Sequence, residues 1–276
     1  MKQQRSRDVN AVVTGAGSGI GRGFALELAQ RNCRVVCADV LLDRAQETVE
    51  LIQALGGQGL AVQTDVAKAS AVEALARQAE QWFEAPVELV INNAGVGAGG
   101  RLVGEIPLAD WKWVMGVNLW GVIHGCHVFA PRLRALGRGG IINVCSTASF
   151  AAAPRMGPYN VSKAAALALS ETLAAELADT DVAVTALCPT WVKTNIAKDG
   201  RIAGEAAHVA EKLMARTGLS PERVARQTLD ALERGQLYVL PQWDAKAIWG
   251  AKRLLPGLYT RGAGLLNRVL GAPASD

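Results

Sequence analysis

The chain has 276 residues, half of them hydrophobic, and a net charge of +4 at neutral pH. This length accommodates one large α/β domain or two small ones, and so small a charge does not indicate a nucleic-acid-binding protein. We see no signal peptide in the polar first eight residues, and no apolar run approaches the ~18 residues that span a bilayer. The five cysteines are odd in number and lack C-x-x-C spacing, so we expect reduced thiols in a cytoplasmic protein.

Short apolar runs alternate with helical patterns along the first 240 residues. The predicted strands are 9–14, 34–39, 60–64, 87–92, 140–146, 182–187 and 237–240. The predicted helices are 20–31, 43–55, 69–84, 108–136, 159–178 and one from Ser220-Pro221 to Gly235. Because the runs are apolar on both faces, they predict a parallel sheet with helices on both sides. The predicted fold class is α/β, a doubly wound (Rossmann) parallel sheet of about seven strands.

Glycines and polar residues follow the predicted strands at their carboxyl ends. They are Gly15, Asp39, Asp65, Asn93 and Ser146, and the sixth strand is followed by Pro189. In a doubly wound sheet the carboxyl ends share one edge, and ligands bind there. The sequence therefore predicts one site at this edge.

The first predicted turn has glycines at 15, 17, 19 and 21, which let a pyrophosphate approach the backbone and the helix N-terminus. Asp39 ends the second strand, where an acid binds a ribose 2′-hydroxyl and repels a 2′-phosphate. Apolar residues follow Asp39, and Ser18 occupies the glycine turn where a basic residue would favour NADP. We therefore predict NAD in preference to NADP. The chain has no P-loop, and the residues around Ser18 do not form a G-x-S-x-G elbow.

Tyr159 and Lys163 are four residues apart at the start of a predicted helix, so their side chains share a face. A phenol titrates near ~10, and a neighbouring ammonium group lowers that pKa by favouring the phenolate. Such a pair could exchange a proton with an alcohol or a ketone. Taken alone, the pair is more often a solvated feature of a helix surface, and only the predicted nucleotide site nearby favours catalysis.

Together these residues resemble the short-chain dehydrogenase/reductase family, in its single-domain branch. The resemblance covers residues 9 to about 195 and is carried by Thr14-Gly15-x-x-x-Gly19-x-Gly21, Asp65, Asn92-Asn93-Ala94-Gly95, Asn118, Ser146 and Tyr159-x-x-x-Lys163. Two positions depart from the family pattern. Thr190 follows Pro189 where the family often has glycine, and Cys145 stands where a second serine is frequent.

The resemblance implies four catalytic residues. Tyr159 would be the general acid/base, and Ser146 would stabilise the substrate oxygen. Lys163 would bind the nicotinamide ribose, and Asn118 would hold a water that links Lys163 to solvent. The implied cofactor-binding residues are Gly15, Ser18, Gly19, Ile20, Gly21, Asp39, Asp65, Val66, Asn92, Asn93, Ala94, Gly95, Tyr159, Lys163, Pro189, Val192 and Thr194. No metal site is predicted, because His124 and His127 lack a third ligand.

The resemblance also identifies residues 190–218, which show no strand pattern, as the substrate loop. The predicted substrate contacts are Ser146, Ala148, Met156, Tyr159 and Trp191. An apolar loop and small alanines indicate an apolar, fairly bulky substrate of a steroid-, aryl- or lipid-like kind. Ordinary packing of the loop explains its apolar residues equally well.

Residues 242–276 extend beyond the predicted single domain of residues 1–241. They read as two amphipathic helices broken at Pro256-Gly257, with Trp243, Ala247, Ala251, Leu254 and Leu258 on one face. Their basic character over residues 243–270 suits a peripheral membrane contact. Packing over the cleft or onto another subunit is the favoured alternative. By resemblance, helices 108–136 and 159–178 would form the interfaces of a homodimer or homotetramer.

We therefore predict an oxidoreductase that transfers a hydride between NAD(H) and a secondary alcohol or ketone. A catalytically silent NAD-binding sensor or scaffold is the alternative, and such a protein would be expected to have lost Ser146, Tyr159 or Lys163. A sugar-nucleotide epimerase or dehydratase would have a different glycine spacing and a larger C-terminal domain.

Overall fold

The computed structural model describes residues 4–271, apart from the side chains of residues 205, 206, 209, 266 and 269–271. The strands are β1 (Asn10–Thr14), β2 (Arg34–Asp39), β3 (Gln58–Gln63), β4 (Leu89–Asn92), β5 (Ala98–Gly99), β6 (Arg138–Val144), β7 (Asp181–Leu187), β8 (Arg201–Ile202) and β9 (Tyr238–Val239). The helices are α1 (Gly19–Gln30), α2 (Leu42–Ala54), α3 (Ala69–Phe83), α4 (Leu108–Met115), α5 (Gly121–Leu136), α6 (Ala148–Ala151), α7 (Gly157–Glu176), α8 (Glu205–Thr217), α9 (Pro221–Glu233), α10 (Trp243–Leu254) and α11 (Pro256–Gly271).

Seven strands form one sheet in the order β3-β2-β1-β4-β6-β7-β9, and every pairing in it is parallel. This confirms the predicted α/β class and the seven-stranded parallel sheet. The chain leaves β1 towards β2 and β3, and then crosses back to β4 on the other side of β1. The carboxyl ends of β1 and β4 therefore flank the point where the strand order reverses, which is where such sheets bind ligands.

Both faces of the sheet are buried at its central strands, which explains why these strands are largely apolar. Along β1, Ala11 and Val13 join an apolar cluster with residues of α1, α2 and α9, while Val12 joins a second cluster with residues of α3 and α5. All three side chains are fully buried. Successive residues of a strand point to opposite faces, so helices on both sides require apolar residues at every position.

Helix α9 completes the first of these layers by packing against α1, although the two are about 200 residues apart in sequence. A side chain at Gly23 would lie 2.9 Å from the backbone of Pro221, so the two helices approach as closely as a glycine allows. Arg31 at the end of α1 bonds to Asp230 on α9 at 2.6 Å. The layer therefore depends on both ends of the domain.

Two predicted elements differ from the structure. The predicted helix 108–136 is interrupted by a π-helical turn, Gly116–Trp120, which carries Asn118. Sequence analysis missed this wide turn, and turns of this kind are common at functional sites. The predicted substrate loop contains a helix, α8, and the short strand β8, which pairs with β5.

The C-terminal extension forms two helices as predicted, although its residues 272–276 lie outside the described range. Pro256 begins α11, where its fixed backbone angle is tolerated, so the break falls just before it. The inner side of α10 packs on the domain, and Ala245 is fully buried there. The centre of the Trp249 ring lies 4.8 Å from the centre of the Phe150 ring and 5.1 Å from the centre of the Tyr238 ring. Within residues 4–271, no helix is long and apolar enough to cross a bilayer.

Candidate active site

The turn between β1 and α1 has the shape of an anion cradle. Gly15 and Gly19 adopt φ angles of +62° and +52°, which favour glycine. A side chain at Gly21 would overlap the carbonyl oxygen of Gly15. Helix α1 begins at Gly19 with Ser18 as its N-cap residue, so the N–H groups of Gly19, Ile20 and Gly21 lie at a helix N-terminus. The turn therefore fits a pyrophosphate held by backbone donors.

Asp39 joins the end of β2 to this turn. One carboxylate oxygen accepts a hydrogen bond from Gly17 N at 2.9 Å, and the other accepts from Leu41 N at 3.0 Å. The sequence neighbours of Asp39 are not basic, but the fold brings Arg44 close to the Asp39 carboxylate. Both residues border Gly17, where an added side chain would contact each of them. The Arg44 guanidinium bonds to Asp199 at 2.9 Å, and this bond, with a smaller contribution from Asp39, raises the pKa of Arg44.

Asn93, at the end of β4, holds the glycine turn in place. Its amide donates to the carbonyl oxygens of Thr14 and Gly15 at 2.8 and 3.1 Å, and the Thr14 hydroxyl accepts from the backbone N–H of Ala94 at 3.1 Å. These bonds connect β1 with β4 at the point where the strand order reverses. Asn93 and Ala94 therefore shape the predicted cofactor site from behind.

The structure places the Asn92 side chain elsewhere. It is buried in the core and donates to Asn143 Oδ1 at 2.8 Å, while Asn143 donates to the Ser170 hydroxyl at 3.0 Å. The side-chain amide of Asn92 therefore belongs to a buried network, and the cofactor contact at this residue is implied by the resemblance alone. Sequence analysis missed Asn143, although an asparagine inside an apolar strand indicates a buried partner.

Two further predicted cofactor-binding residues, Asp65 and Val66, follow β3. The Asp65 carboxylate is half-buried and accepts from Ala67 N at 3.1 Å, and Val66 is buried beneath Gly121. The Val66 carbonyl lies 2.8 Å from His124 Nδ1, so His124 has a structural partner. Among residues 4–271, no group of three metal-ligating side chains was found.

Four predicted catalytic residues meet at the carboxyl edge between β4, β6 and α7. Lys163 is almost fully buried, donates to the Val144 carbonyl at 2.7 Å, and has its Nζ 5.9 Å from the centre of the Tyr159 ring. Asn118 is fixed by two bonds to the backbone of Val96, at 2.7 and 2.9 Å. A methyl group at Gly95 would lie 3.4 Å from both Asn118 Oδ1 and Lys163 Nζ. The two side chains therefore border one small space beside Gly95.

The pKa values of the pair shift in opposite directions. Burial raises the pKa of the Tyr159 phenol, and hydrogen bonding with Ser146 opposes that rise. Burial also lowers the pKa of the Lys163 ammonium group. Loss of water disfavours both charged forms, so the predicted effect of Lys163 on the Tyr159 phenolate opposes the effect of burial.

The predicted substrate side lies between Ser146 and Tyr159. The Ser146 hydroxyl accepts from Ala148 N at 3.1 Å, so it is held at the start of α6. Met156 packs its sulfur against Gly99 of β5, and the Arg155 carbonyl accepts from Gly100 N at 2.8 Å. Ala148 and Met156 thus lie on the segment that joins the two predicted catalytic groups. The departure at Cys145 does not reach the cleft, since its side chain belongs to the core.

The segment after β7 closes the other side of the site. Pro189 is buried and its carbonyl accepts from Thr147 N at 2.9 Å, while Val192 is buried near Leu219. The methyl group of Thr194 would lie 2.9 Å from a side chain at Gly19, so this segment passes over the start of α1. It therefore borders the glycine turn, as predicted for a loop that covers a dinucleotide.

The C-terminal extension holds this segment. The Thr190 hydroxyl donates to Asp244 Oδ1 at 2.7 Å, and Thr190 N donates to Gln242 Oε1 at 3.2 Å. Gln242 also donates to the Trp191 carbonyl at 2.8 Å. Sequence analysis missed Gln242 and Asp244, since no local pattern indicates a partner about 50 residues upstream. The extension therefore contacts the predicted site and is not a detached tail.

Comparison with known proteins gives consistent results. Residues 9–203 match the family model for short chain dehydrogenase. The chain is 36% identical over 256 residues to a protein named as an oxidoreductase, SadH, of Mycobacterium tuberculosis, covering 91% of this chain and 92% of that protein. It is 32% identical over 250 residues to a cyclohexanol dehydrogenase of an Acinetobacter species, covering 91% and 94%.

A solved structure extends the likeness to nearly the whole chain. A short chain dehydrogenase/reductase from Burkholderia phymatum, crystallised in complex with NAD, is 35% identical with a TM-score of 0.82, and 99% of each chain is covered. Some curated relatives are longer. The chain spans 43% of the length of mycobacterial relatives that are 35% identical to it over 260 residues.

Proposed function

This chain belongs to the short-chain dehydrogenase/reductase family, and on that premise we propose that it is an NAD-dependent dehydrogenase interconverting secondary alcohols and ketones. One observation carries the proposal: Ser146, Tyr159, Lys163 and Asn118 converge at the sheet edge beside a glycine turn shaped for a pyrophosphate. The cyclohexanol dehydrogenase among the relatives supports an alcohol as substrate.

The residues divide the chemistry between them. NAD, when bound, supplies a hydride acceptor and a positive charge at the nicotinamide. Tyr159 acts as its phenolate, which the charges of Lys163 and of the nicotinamide favour against the effect of burial. It accepts the hydroxyl proton of the alcohol as the substrate carbon loses the hydride, and the Ser146 hydroxyl stabilises the charge that develops on the oxygen. Lys163 is a buried ammonium whose lowered pKa suits it to pass a proton on. The space between Lys163 and Asn118 has the polar groups that a relay water needs.

The preference for NAD over NADP rests on Asp39. Its carboxylate is held at the end of β2 by Gly17 N and Leu41 N, where it would accept from a ribose 2′-hydroxyl and repel a 2′-phosphate. Arg44 nearby would favour the phosphate, but its guanidinium is bonded to Asp199. The NAD complex of the Burkholderia relative supports the same choice. Comparable kcat/KM values for NAD and NADP would contradict it.

The proposed substrate is apolar and fairly bulky, of a steroid-, aryl- or lipid-like kind. Two apolar side chains among the predicted substrate contacts, those of Met156 and Trp191, are half-buried, and Met156 lies on the segment between Ser146 and Tyr159. The name of the cyclohexanol-oxidising relative supports an apolar carbon skeleton. A panel of secondary alcohols, followed by NADH absorbance, should show higher kcat/KM for cyclic and aryl alcohols than for short linear ones.

The catalytic assignment is tested by Tyr159→Phe, which removes one hydroxyl. Because general acid/base catalysis contributes roughly 10²–10⁴-fold, we expect turnover to fall at least that far while NAD still binds. Tyr259→Phe makes the same chemical change on α11 and serves as the matched control. Turnover retained by Tyr159→Phe would refute the assignment. Wild-type protein that binds NAD but oxidises no alcohol of the panel would instead support the silent sensor.

The protein is further proposed to be a homodimer or homotetramer. Apolar side chains remain exposed on the two helices predicted to form its interfaces: Trp120, at the start of α5, is 52% exposed and Val161, on α7, is 46% exposed. Exposed apolar residues on neighbouring helices are typical of subunit contacts. Sedimentation equilibrium gives the mass directly, and a monomer at micromolar concentration would contradict this assembly.

A further inference from the structure

Five large apolar side chains on the C-terminal helices α10 and α11, and at the junction between them, are exposed. Trp243 and Leu254 are each 81% exposed, while Leu255, Leu258 and Leu265 are 55%, 62% and 60% exposed. We call these five side chains the outer face of the tail. Large exposed apolar groups placed close together mark surfaces that bind something.

The outer face of the tail does not pack on the chain's own domain, because the opposite side of each helix makes that contact. On α10, Ala245 is fully buried and Trp249 packs against Phe150. On α11, Asn267 accepts a hydrogen bond from Arg155 at 3.0 Å. Within residues 4–271, the outer face of the tail is therefore left uncovered.

The charge around the outer face is strongly one-sided. Residues 243–271 contain five of the 29 basic residues of the chain and one of its 25 acids, and the remaining residues hold 24 of each. The whole net charge of +4 thus lies on these two helices. Their one acid, Asp244, is bonded to Thr190. Exposed basic side chains accompany the apolar ones, namely those of Lys246, Arg253, Arg261 and Arg268.

The spacing places these cations beside the apolar residues. Lys246 and Arg253 are two helical turns apart on α10, as are Arg261 and Arg268 on α11, so each pair lies along one side of its helix. Trp243 and Leu258 lie three residues before Lys246 and Arg261, which is the spacing of neighbours on a helix surface. Each helix thus presents an apolar strip edged with positive charge.

We propose that the outer face of the tail binds the surface of an anionic lipid bilayer. Its apolar side chains would enter the interfacial layer, and its basic side chains would contact lipid phosphates. Helices with an apolar face that includes tryptophan and a basic flank bind such surfaces. A second copy of the chain fits less well, since a two-fold contact would bring identical clusters of cations together.

Co-sedimentation with vesicles tests this proposal without cofactor or substrate, so its result is independent of the proposed activity. The full chain should bind vesicles of phosphatidylcholine mixed with phosphatidylglycerol more tightly than vesicles of phosphatidylcholine alone. This difference should shrink at roughly 0.5 M salt, where exposed charges are screened. Absence of binding to the anionic vesicles at low salt would overturn the proposal.

Two multiple variants separate the contributions. Trp243→Ser combined with Leu254→Ser and Leu258→Ser should weaken binding roughly tenfold or more, because the inserted apolar area is lost. Lys246→Gln combined with Arg261→Gln and Arg268→Gln should weaken binding to anionic vesicles roughly a hundredfold, at about fivefold for each charge. All six side chains are exposed, so circular dichroism should show folded proteins.

Matched controls lie away from the tail. Leu55→Ser, on a side chain 53% exposed at the end of α2, and Lys112→Gln, on an exposed residue of α4, should leave vesicle binding unchanged. Equal losses from controls and tail variants would overturn the proposal. So would a drop in oligomeric mass of the triple serine variant without vesicles, since the outer face would then be a subunit interface.

Discussion

The bond between Thr190 and Asp244 predicts that the C-terminal extension controls cofactor affinity. Asp244 Oδ1 accepts from the Thr190 hydroxyl at 2.7 Å, and both residues are half-buried. A hydrogen bond to a charged group contributes about 1.5–3 kcal/mol, and partial exposure favours the lower end. Because this bond holds the segment that carries the predicted cofactor contacts Pro189, Val192 and Thr194, Asp244→Ala should raise KM for NAD roughly tenfold. Since Tyr159 and Ser146 are untouched, kcat should change little.

Initial-rate kinetics on Asp244→Ala, Thr190→Val and the double variant would test this reasoning as a double-mutant cycle. If the two side chains act through their shared bond, the double variant should resemble either single one. The melting temperature should fall by a few degrees, at about 2–4 °C per kcal/mol for a chain of this size. An unchanged KM for NAD in Asp244→Ala, or effects that simply add, would refute the reasoning.

Three further predictions concern the site and the core. Gly21→Ala should abolish the thermal stabilisation of the protein by NAD, because the added methyl group would overlap the glycine turn. Gly250→Ala is the control, since an added methyl group there has no atom within 4 Å. Equal stabilisation of the two variants by NAD would contradict this prediction. Gly95→Ala should lower kcat about tenfold by filling the space beside Lys163 Nζ while leaving NAD affinity intact, and an unchanged kcat would exclude a relay there. Burial raises the pKa values of three thiols to about 11, 12 and 11, those of Cys33, Cys37 and Cys126. The folded chain therefore keeps protons that the unfolded chain loses near pH ~9. The stabilisation from these thiols should be fully present below that pH and should decline up to pH ~11–12. A urea unfolding midpoint that does not fall between about pH 8 and about pH 10.5 would contradict the shift.

The periodicity of apolar residues, together with the glycine and polar residues that end each run, predicted most of the fold. Strands apolar at every position can exist only between two layers of helices, and polar residues at their ends identified the edge where a site forms. The spacing of Tyr159 and Lys163 placed both side chains on one helix face before their surroundings were known. The placement of Asn118 near Lys163 was predicted from the family resemblance alone. No local rule connects a residue of one helix with a lysine of another.

Other features depend on contacts distant in sequence. The bond between Asn92 and Asn143 was not predicted, because the two residues lie on neighbouring strands that are distant in sequence. The pKa of Tyr159 also depends on burial, which raises it and which no spacing in the sequence reveals. The partner of Asp244 likewise follows from tertiary packing alone. Sequence reasoning therefore performs best for local geometry and worst for networks that join separate elements.

The packing of α1 on α9 has a consequence for how the protein is made. Phe24 and Leu28 on α1 share a buried cluster with Leu229 on α9. At translation rates of about 5–20 residues per second, the ribosome needs roughly 10–40 s to add the intervening residues. During that time the apolar side of α1 has no native cover from α9, and it is a candidate surface for chaperones. Nascent chains arrested before α9 should therefore be captured by a holdase, whereas chains released after β9 should escape it.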